Sequence, residues 1–207
     1  MPTRTLAVVS GGLSNPSSTR LLADRLTTAA VQALRDRGDE ATVETVELRE
    51  HARDLADNLV TGFPSGSLRT AIDTVTGADG LIAVTPIFSA SYSGLFKTFF
   101  DVLDKDALTG KPVLLAATAG SARHSLALDH AMRPLFAYLR AVAVPTGVFA
   151  AAEDWAGAGG IDQALADRIR RAAGELADLV TGRPGGARPA DPFADPTPFE
   201  ELLRPHP

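Results

Sequence analysis

Runs with the character of β-strands take turns with runs of helical period along most of this chain. No other feature limits its fold as much. The strand candidates are Leu6–Val9, Thr42–Leu48, Gly80–Val84, Val113–Ala117 and Ala141–Val144, the last continuing to Val148 and Phe149. Thr42–Leu48 alternates apolar and polar positions, whereas Leu6–Val9, Gly80–Val84 and Val113–Ala117 are apolar throughout, as strands covered on both faces are. Between them lie Ser18–Arg37, Leu68–Val75, Ser93–Leu103, Leu126–Arg140 and Ile161–Thr181, each with helical spacing. In the first of these, Leu21, Leu22, Leu26, Ala29, Ala30, Ala33 and Leu34 share one stripe.

Repeated strand–helix units predict a parallel sheet with helices on both faces, and right-handed crossovers leave few topologies. Five strands suit an α/β, flavodoxin-like, doubly wound sheet of order 2-1-3-4-5. Its ligands lie beyond the carboxyl ends of the strands. The six-stranded dinucleotide fold competes, but no sixth strand is found. After Thr181 the composition changes: Gly182–Pro207 holds seven prolines and three glycines. One domain is therefore expected over 1–182, followed by a Pro-rich tail over 183–207 that can dock through Phe193, Phe199, Leu202 and Leu203.

Composition removes several functions. The chain has no cysteine, which excludes disulfides, Cys-ligated zinc, iron–sulfur clusters and thiol catalysis. A net charge of -5 disfavours nucleic acid and acidic membrane surfaces as partners. No run approaches the length of a membrane span, and the first residues do not read as a signal peptide, so a cytoplasmic protein is expected. The histidines at 51, 124, 130 and 206 lack metal-ligand spacing. No Gly-x-Ser-x-Gly elbow is present.

Three loops follow strands 1, 3 and 4 and meet at one edge of such a sheet. The first runs Ser10-Gly11-Gly12-Leu13-Ser14-Asn15-Pro16-Ser17-Ser18-Thr19 into a helix. Glycines, hydroxyls and the free amides of a helix start suit a phosphate. The same residues also read as a turn before a helix capped by Ser17 or Ser18. The loop carries neither Gly-x-Gly-x-x-Gly nor a closing Gly-Lys-Ser/Thr. The second loop, Thr85 to Gly94, offers Phe88 and Tyr92 among small residues. It reads either as a wall for a planar ring or as a loop pinned by two buried aromatics. The third, Thr118-Ala119-Gly120-Ser121-Ala122-Arg123-His124-Ser125, lets backbone amides approach a ligand edge. Read alone, His124 is a surface residue at a helix start.

Taken together, these residues resemble the NAD(P)H-dependent FMN reductase family. The similarity is greatest to the branch that supplies reduced flavin to two-component monooxygenases, such as the alkanesulfonate flavin reductases. The run from Ala78 to Thr98, ADGLIAVTPIFSASYSGLFKT, is similar to that family's signature ADGLI-x-x-TP-[VI]-[YF]-x-x-x-YSG-x-x-K. Thr118 to Ser121 resembles its flavin-ring loop, and Leu126 to Leu135 the helix after it; the likeness covers about residues 4–155. Two departures stand out. Gly12 and Ser14 occupy positions where the family often has serine and arginine, and His130 replaces a tyrosine of some relatives.

The resemblance implies an enzyme that passes a hydride from NAD(P)H to FMN and yields reduced flavin for a partner monooxygenase. The flavin and nicotinamide carry the chemistry, so no side chain is assigned as catalytic. Gly12, Ser14, Ser17, Ser18 and Thr19 are expected at the phosphate. Pro86, Ile87, Phe88 and Ser89 are expected along the ring and ribityl chain, and Thr118, Ala119, Gly120 and Ser121 at the pyrimidine edge. Three alternatives stay open: a reductase of quinones, azo dyes or metal oxyanions with tightly held FMN, a flavodoxin-like electron carrier, and a domain that binds a phosphorylated metabolite without redox chemistry. Leu95, Phe96, Phe99, Phe100, Val102 and Leu103 surround most of one helix. With the resemblance, that predicts a homodimer or homotetramer, or a face covered by the tail.

Overall fold

In the computed structural model, which describes residues 2–155 and 161–182, every expected strand forms. β1 is Thr3–Ser10, β2 Glu40–Glu47, β3 Gly80–Phe88, β4 Ser91–Tyr92, β5 Pro112–Thr118, β6 Val142–Ala143 and β7 Val148–Ala150. The main sheet runs β2-β1-β3-β5-β6 with parallel neighbours, which is the expected order 2-1-3-4-5. The helices are α1 Ser18–Arg35, α2 Ala52–Thr61, α3 Gly66–Gly77, α4 Gly94–Asp101, α5 Arg133–Tyr138 and α6 Gln163–Thr181. The Pro-rich tail expected over 183–207 lies outside the described residues.

The period of two along each central strand divides the core into two layers. Leu6, Val8, Ile82, Val84, Leu114 and Ala116 face α1 and α6, meeting Leu22, Leu26, Leu34, Leu165, Ile169 and Leu176. Ala7, Val9, Leu81, Ala83, Leu115 and Ala117 face the other way, toward Leu55, Leu68, Phe96, Phe99, Phe100 and Phe136. Full burial of β3 (save Phe88) and β5 explains why their sequences do not alternate.

Four details depart from the expected pattern. First, the fifth strand is interrupted between β6 and β7, although both pair with β5. Pro145 has no N–H to give the ladder. Glu175 accepts from Thr146 N and Oγ1, both at 2.7 Å, while Arg133 donates to the carbonyls of Val144 and Pro145, both at 3.0 Å. Side chains thus satisfy the backbone groups that the break exposes.

Second, the helix expected over 126–140 is a π-turn over Leu128–Met132 followed by the short α5, with Pro134 in its first turn. Third, β3 continues past Val84 to Phe88 and returns as β4 through Ser89 and Ala90, both at positive φ. Fourth, α2 was not legible, because it buries only Leu55 and Asn58 and leaves Leu59 and Val60 exposed. This helix packs on α4. Phe96, Phe99 and Phe100 are buried and Leu95 and Val102 partly so, which means the chain itself covers much of the helix face assigned to a partner or the tail.

Candidate functional site

The loops after β1, β3 and β5 converge around a cavity of about 370 Å³. Its wall is formed by Leu13, Ser14, Ser17, Ser18 and Thr19 from the first loop, Pro86, Ile87 and Phe88 from β3, and Thr118, Ala119 and Gly120 from the third. Ten of the thirteen residues singled out from sequence are in that wall. Gly12, Ser89 and Ser121 are not.

Gly12 is buried behind the wall. A Cβ there would overlap Ser17 Oγ and come 3.2 Å from Thr19 Cβ, so a larger residue would have to displace the hydroxyl that caps α1. Ser89 is in the turn between β3 and β4, and Ser121 precedes a 3₁₀ turn over Ala122–His124. Arg123 and His124 are exposed on that turn.

The first loop is held from three sides. Gly11 N donates to the Val84 carbonyl at 2.8 Å. Ser17 caps α1, its Oγ accepting from Arg20 N at 3.2 Å. The buried hydroxyls of Thr19 and Thr118 share a hydrogen bond of 2.8 Å across the cavity floor, joining the first loop to the third. The second loop is pinned by Thr85, whose Oγ1 accepts from Ser93 N at 3.1 Å. Ser93 in turn caps α4. Phe88 is half exposed rather than the buried pin that one reading of this loop allowed, and Tyr92 is only partly buried. Ser10, fully buried where β1 enters the first loop, leaves its hydroxyl without a partner among the described residues.

The wall has two chemical ends. Hydroxyls gather at the start of α1, where backbone amides and the helix dipole favour an anion. Pro86, Ile87 and Phe88 make an apolar strip, and Ala119 and Gly120 bring backbone close to it. A phosphate ester with a flat ring fits this division, as FMN has. None of the lining residues ionises near neutral pH. No cluster of metal-ligating side chains occurs among the described residues.

Two contributors were missed in the sequence. Leu13 lines the cavity and is 51% exposed, an apolar residue in a loop read for its hydroxyls. Arg49 Nη1 donates to the Ser14 carbonyl at 3.3 Å. Nothing local marks Arg49, since the contact spans 35 residues.

Comparison with known proteins agrees with this geometry. The profile of NADPH-dependent FMN reductases matches residues 4–156. An FMN reductase (NADPH) of Pseudomonas aeruginosa is 37% identical over 86% of this chain and 93% of its own length. The NADH-dependent FMN reductase SfnE of Pseudomonas putida is 39% identical over 81% of this chain and 88% of its own. The X-ray structure of an oxidoreductase from Corynebacterium diphtheriae superposes with a TM-score of 0.84 at 52% identity, covering 88% of this chain and all of that one. The chain belongs to the NADPH-dependent FMN reductase family, as a flavodoxin-like oxidoreductase that uses FMN and NAD(P)H.

Proposed function

We propose that the cavity between the three loops is the FMN site, that FMN passes through it as an exchangeable substrate, and that the reduced flavin serves a separate monooxygenase. The observation that carries this reading is the wall itself. It offers hydroxyls and a helix start at one end and an apolar strip at the other, and residues 10–19 include no cationic side chain to lock a phosphate in place.

The roles follow from position. Ser14, Ser17, Ser18 and Thr19 face the phosphate, with Gly12 behind them allowing the close approach. Pro86, Ile87 and Phe88 support the ring, and Ser89 holds the turn beyond them. Thr118, Ala119 and Gly120 meet the pyrimidine edge, next to Ser121. The flavin supplies the redox chemistry when bound. The protein's part is to hold it with one face open to the nicotinamide, and no protein acid or base is needed. A cytoplasmic setting, where reduced nicotinamide is abundant, belongs to the same reading. No described helix is long and apolar enough to cross a membrane.

The test is purification followed by turnover. The protein is expected to purify pale and to oxidise NAD(P)H at a rate that saturates with added FMN. Under anaerobic conditions, reduced flavin should cross a dialysis membrane and reduce cytochrome c beyond it. Yellow protein that keeps stoichiometric FMN through dialysis, and turns over without regard to free flavin, would favour the bound-flavin reductase instead.

Self-association is proposed with a changed basis. Since α2 covers α4, the apolar surface left on this side of the sheet includes Leu59, Val60 and Phe63 at the end of α2, all more than half exposed. A second copy of the chain is the proposed cover. Light scattering at micromolar concentration should give a dimer or tetramer, and a monomer would overturn this.

A further inference from the structure

A phosphate monoester carries close to two negative charges at neutral pH. The loop that faces it here contributes hydroxyls and amides but no cation. A guanidinium reaches the loop from another part of the chain. Arg49, in the 3₁₀ turn Leu48–His51 that follows β2, donates through Nη1 to the carbonyl of Ser14 at 3.3 Å, and Ser14 lines the cavity.

The neighbouring charges decide which arginine is available. Arg20, on the first turn of α1, donates to Asp24 at 2.7 Å and makes a close contact with Glu47. Its pKa is raised above the ordinary value, first by Asp24 and then by Glu47, so these two carboxylates hold its charge. Arg49 stands farther from Glu47, with Nε at 3.6 Å, beyond a good hydrogen bond. Its side chain is 31% exposed, and of five donors one is used on Ser14. Arg49 is not itself in the cavity wall, but with only a long contact to Glu47 it keeps donors to spare next to Ser14, at the hydroxyl end of that wall.

We propose that Arg49 is the cation that recognises the phosphate, and so the residue that makes this site prefer FMN to riboflavin. The inference rests on the flavin reading of the cavity. Placing the cation outside the loop has a consequence. The guanidinium is shared with a backbone carbonyl and a carboxylate, so it adds selectivity for a phosphate without clamping it, and exchange of the flavin stays possible.

The test is equilibrium titration of flavin fluorescence with FMN and, separately, with riboflavin, on wild type, Arg49→Gln and Arg49→Lys. Loss of a charge-assisted contact should raise the FMN dissociation constant of Arg49→Gln by about tenfold or more. Riboflavin affinity should not change. Arg49→Lys, which keeps the charge but not the fork, should fall between. Inorganic phosphate should displace FMN from wild type more readily than it affects riboflavin.

Equal losses for both flavins would mean that Arg49 only holds the loop in shape, and would overturn the proposal, as would an FMN affinity untouched by Arg49→Gln. Should circular dichroism show Arg49→Gln unfolded, the same pair of titrations on Arg49→Lys decides. Wild type that binds riboflavin normally while the variants show no FMN defect refutes only the role of Arg49. Wild type that binds neither flavin removes the flavin reading and this inference together.

Discussion

Thr19 and Thr118 are 99 positions apart in the chain, yet their hydroxyls share one buried hydrogen bond of 2.8 Å. That bond ties the start of α1 to the end of β5 and so joins the two loops on either side of the cavity. Removing one partner strands the other hydroxyl in a dry place. Thr118→Val is predicted to cost about 1–3 kcal/mol in urea unfolding. The double variant Thr19→Val/Thr118→Val should recover part of that loss, because neither hydroxyl is then left unpaired. Both should bind FMN more weakly. A double variant as unstable as the sum of the singles would show that the pair is not coupled.

Ser17 and Ser18 are adjacent but do different work. Ser17 caps α1, whereas Ser18 is exposed on the first turn and caps nothing. Ser17→Ala is predicted to lower stability by about 1 kcal/mol as well as FMN affinity. Ser18→Ala should leave the denaturation midpoint in place and weaken FMN alone. Paired denaturation and fluorescence titrations separate the two, and the assignment fails should Ser18→Ala bind FMN as wild type does.

Gly12 and Gly120 make a second contrast. A methyl group at Gly12 would overlap Ser17 Oγ, while one at Gly120 meets nothing within 4 Å. Gly12→Ala is expected to destabilise the fold by about 1–3 kcal/mol through overpacking. Gly120→Ala should fold as well as wild type, but bind flavin less tightly if, as proposed, the space it fills is the flavin's. Thermal unfolding with and without FMN reads both effects. A Gly120→Ala protein with normal FMN affinity would move the ring away from this loop.

Acid should act on the ligand rather than on the cavity wall. No lining residue titrates near neutrality, whereas a phosphate monoester loses its second charge below a pKa of about 6. FMN affinity is therefore predicted to be flat from about pH 7 to 9 and to fall as the pH drops through about 6, since the protonated phosphate has less charge to offer. Riboflavin, without a phosphate, should show no such fall. A matching fall for riboflavin would place the titrating group on the protein.

Much of this architecture was legible because it rests on local pattern. Continuous apolar runs such as Gly80–Val84 mark strands buried on both faces, and the stripe on Ser18–Arg37 marks a helix that covers them. Alternation of the two dictates a parallel sheet, and a parallel sheet places three loops at one edge. The ten cavity residues named from sequence lie in those three loops, where the family signature narrows the choice within each loop. The elements that escaped carry weak local signals: α2 buries two side chains, and the fifth strand is cut by a proline whose exposed backbone partners are met from α6 and α5.

What the sequence determined by itself was the order of elements, the faces they bury and the loops that can hold a ligand, since each depends on the spacing of neighbouring residues. The tertiary structure decided which of those residues act together. Thr19 reaches Thr118, Arg49 reaches Ser14, and α2 covers α4, through contacts that span tens of positions and leave no periodic trace in the chain. Hydrogen bonds and side-chain packing depend on distance in space, and only the folded sheet brings the ends of its strands together.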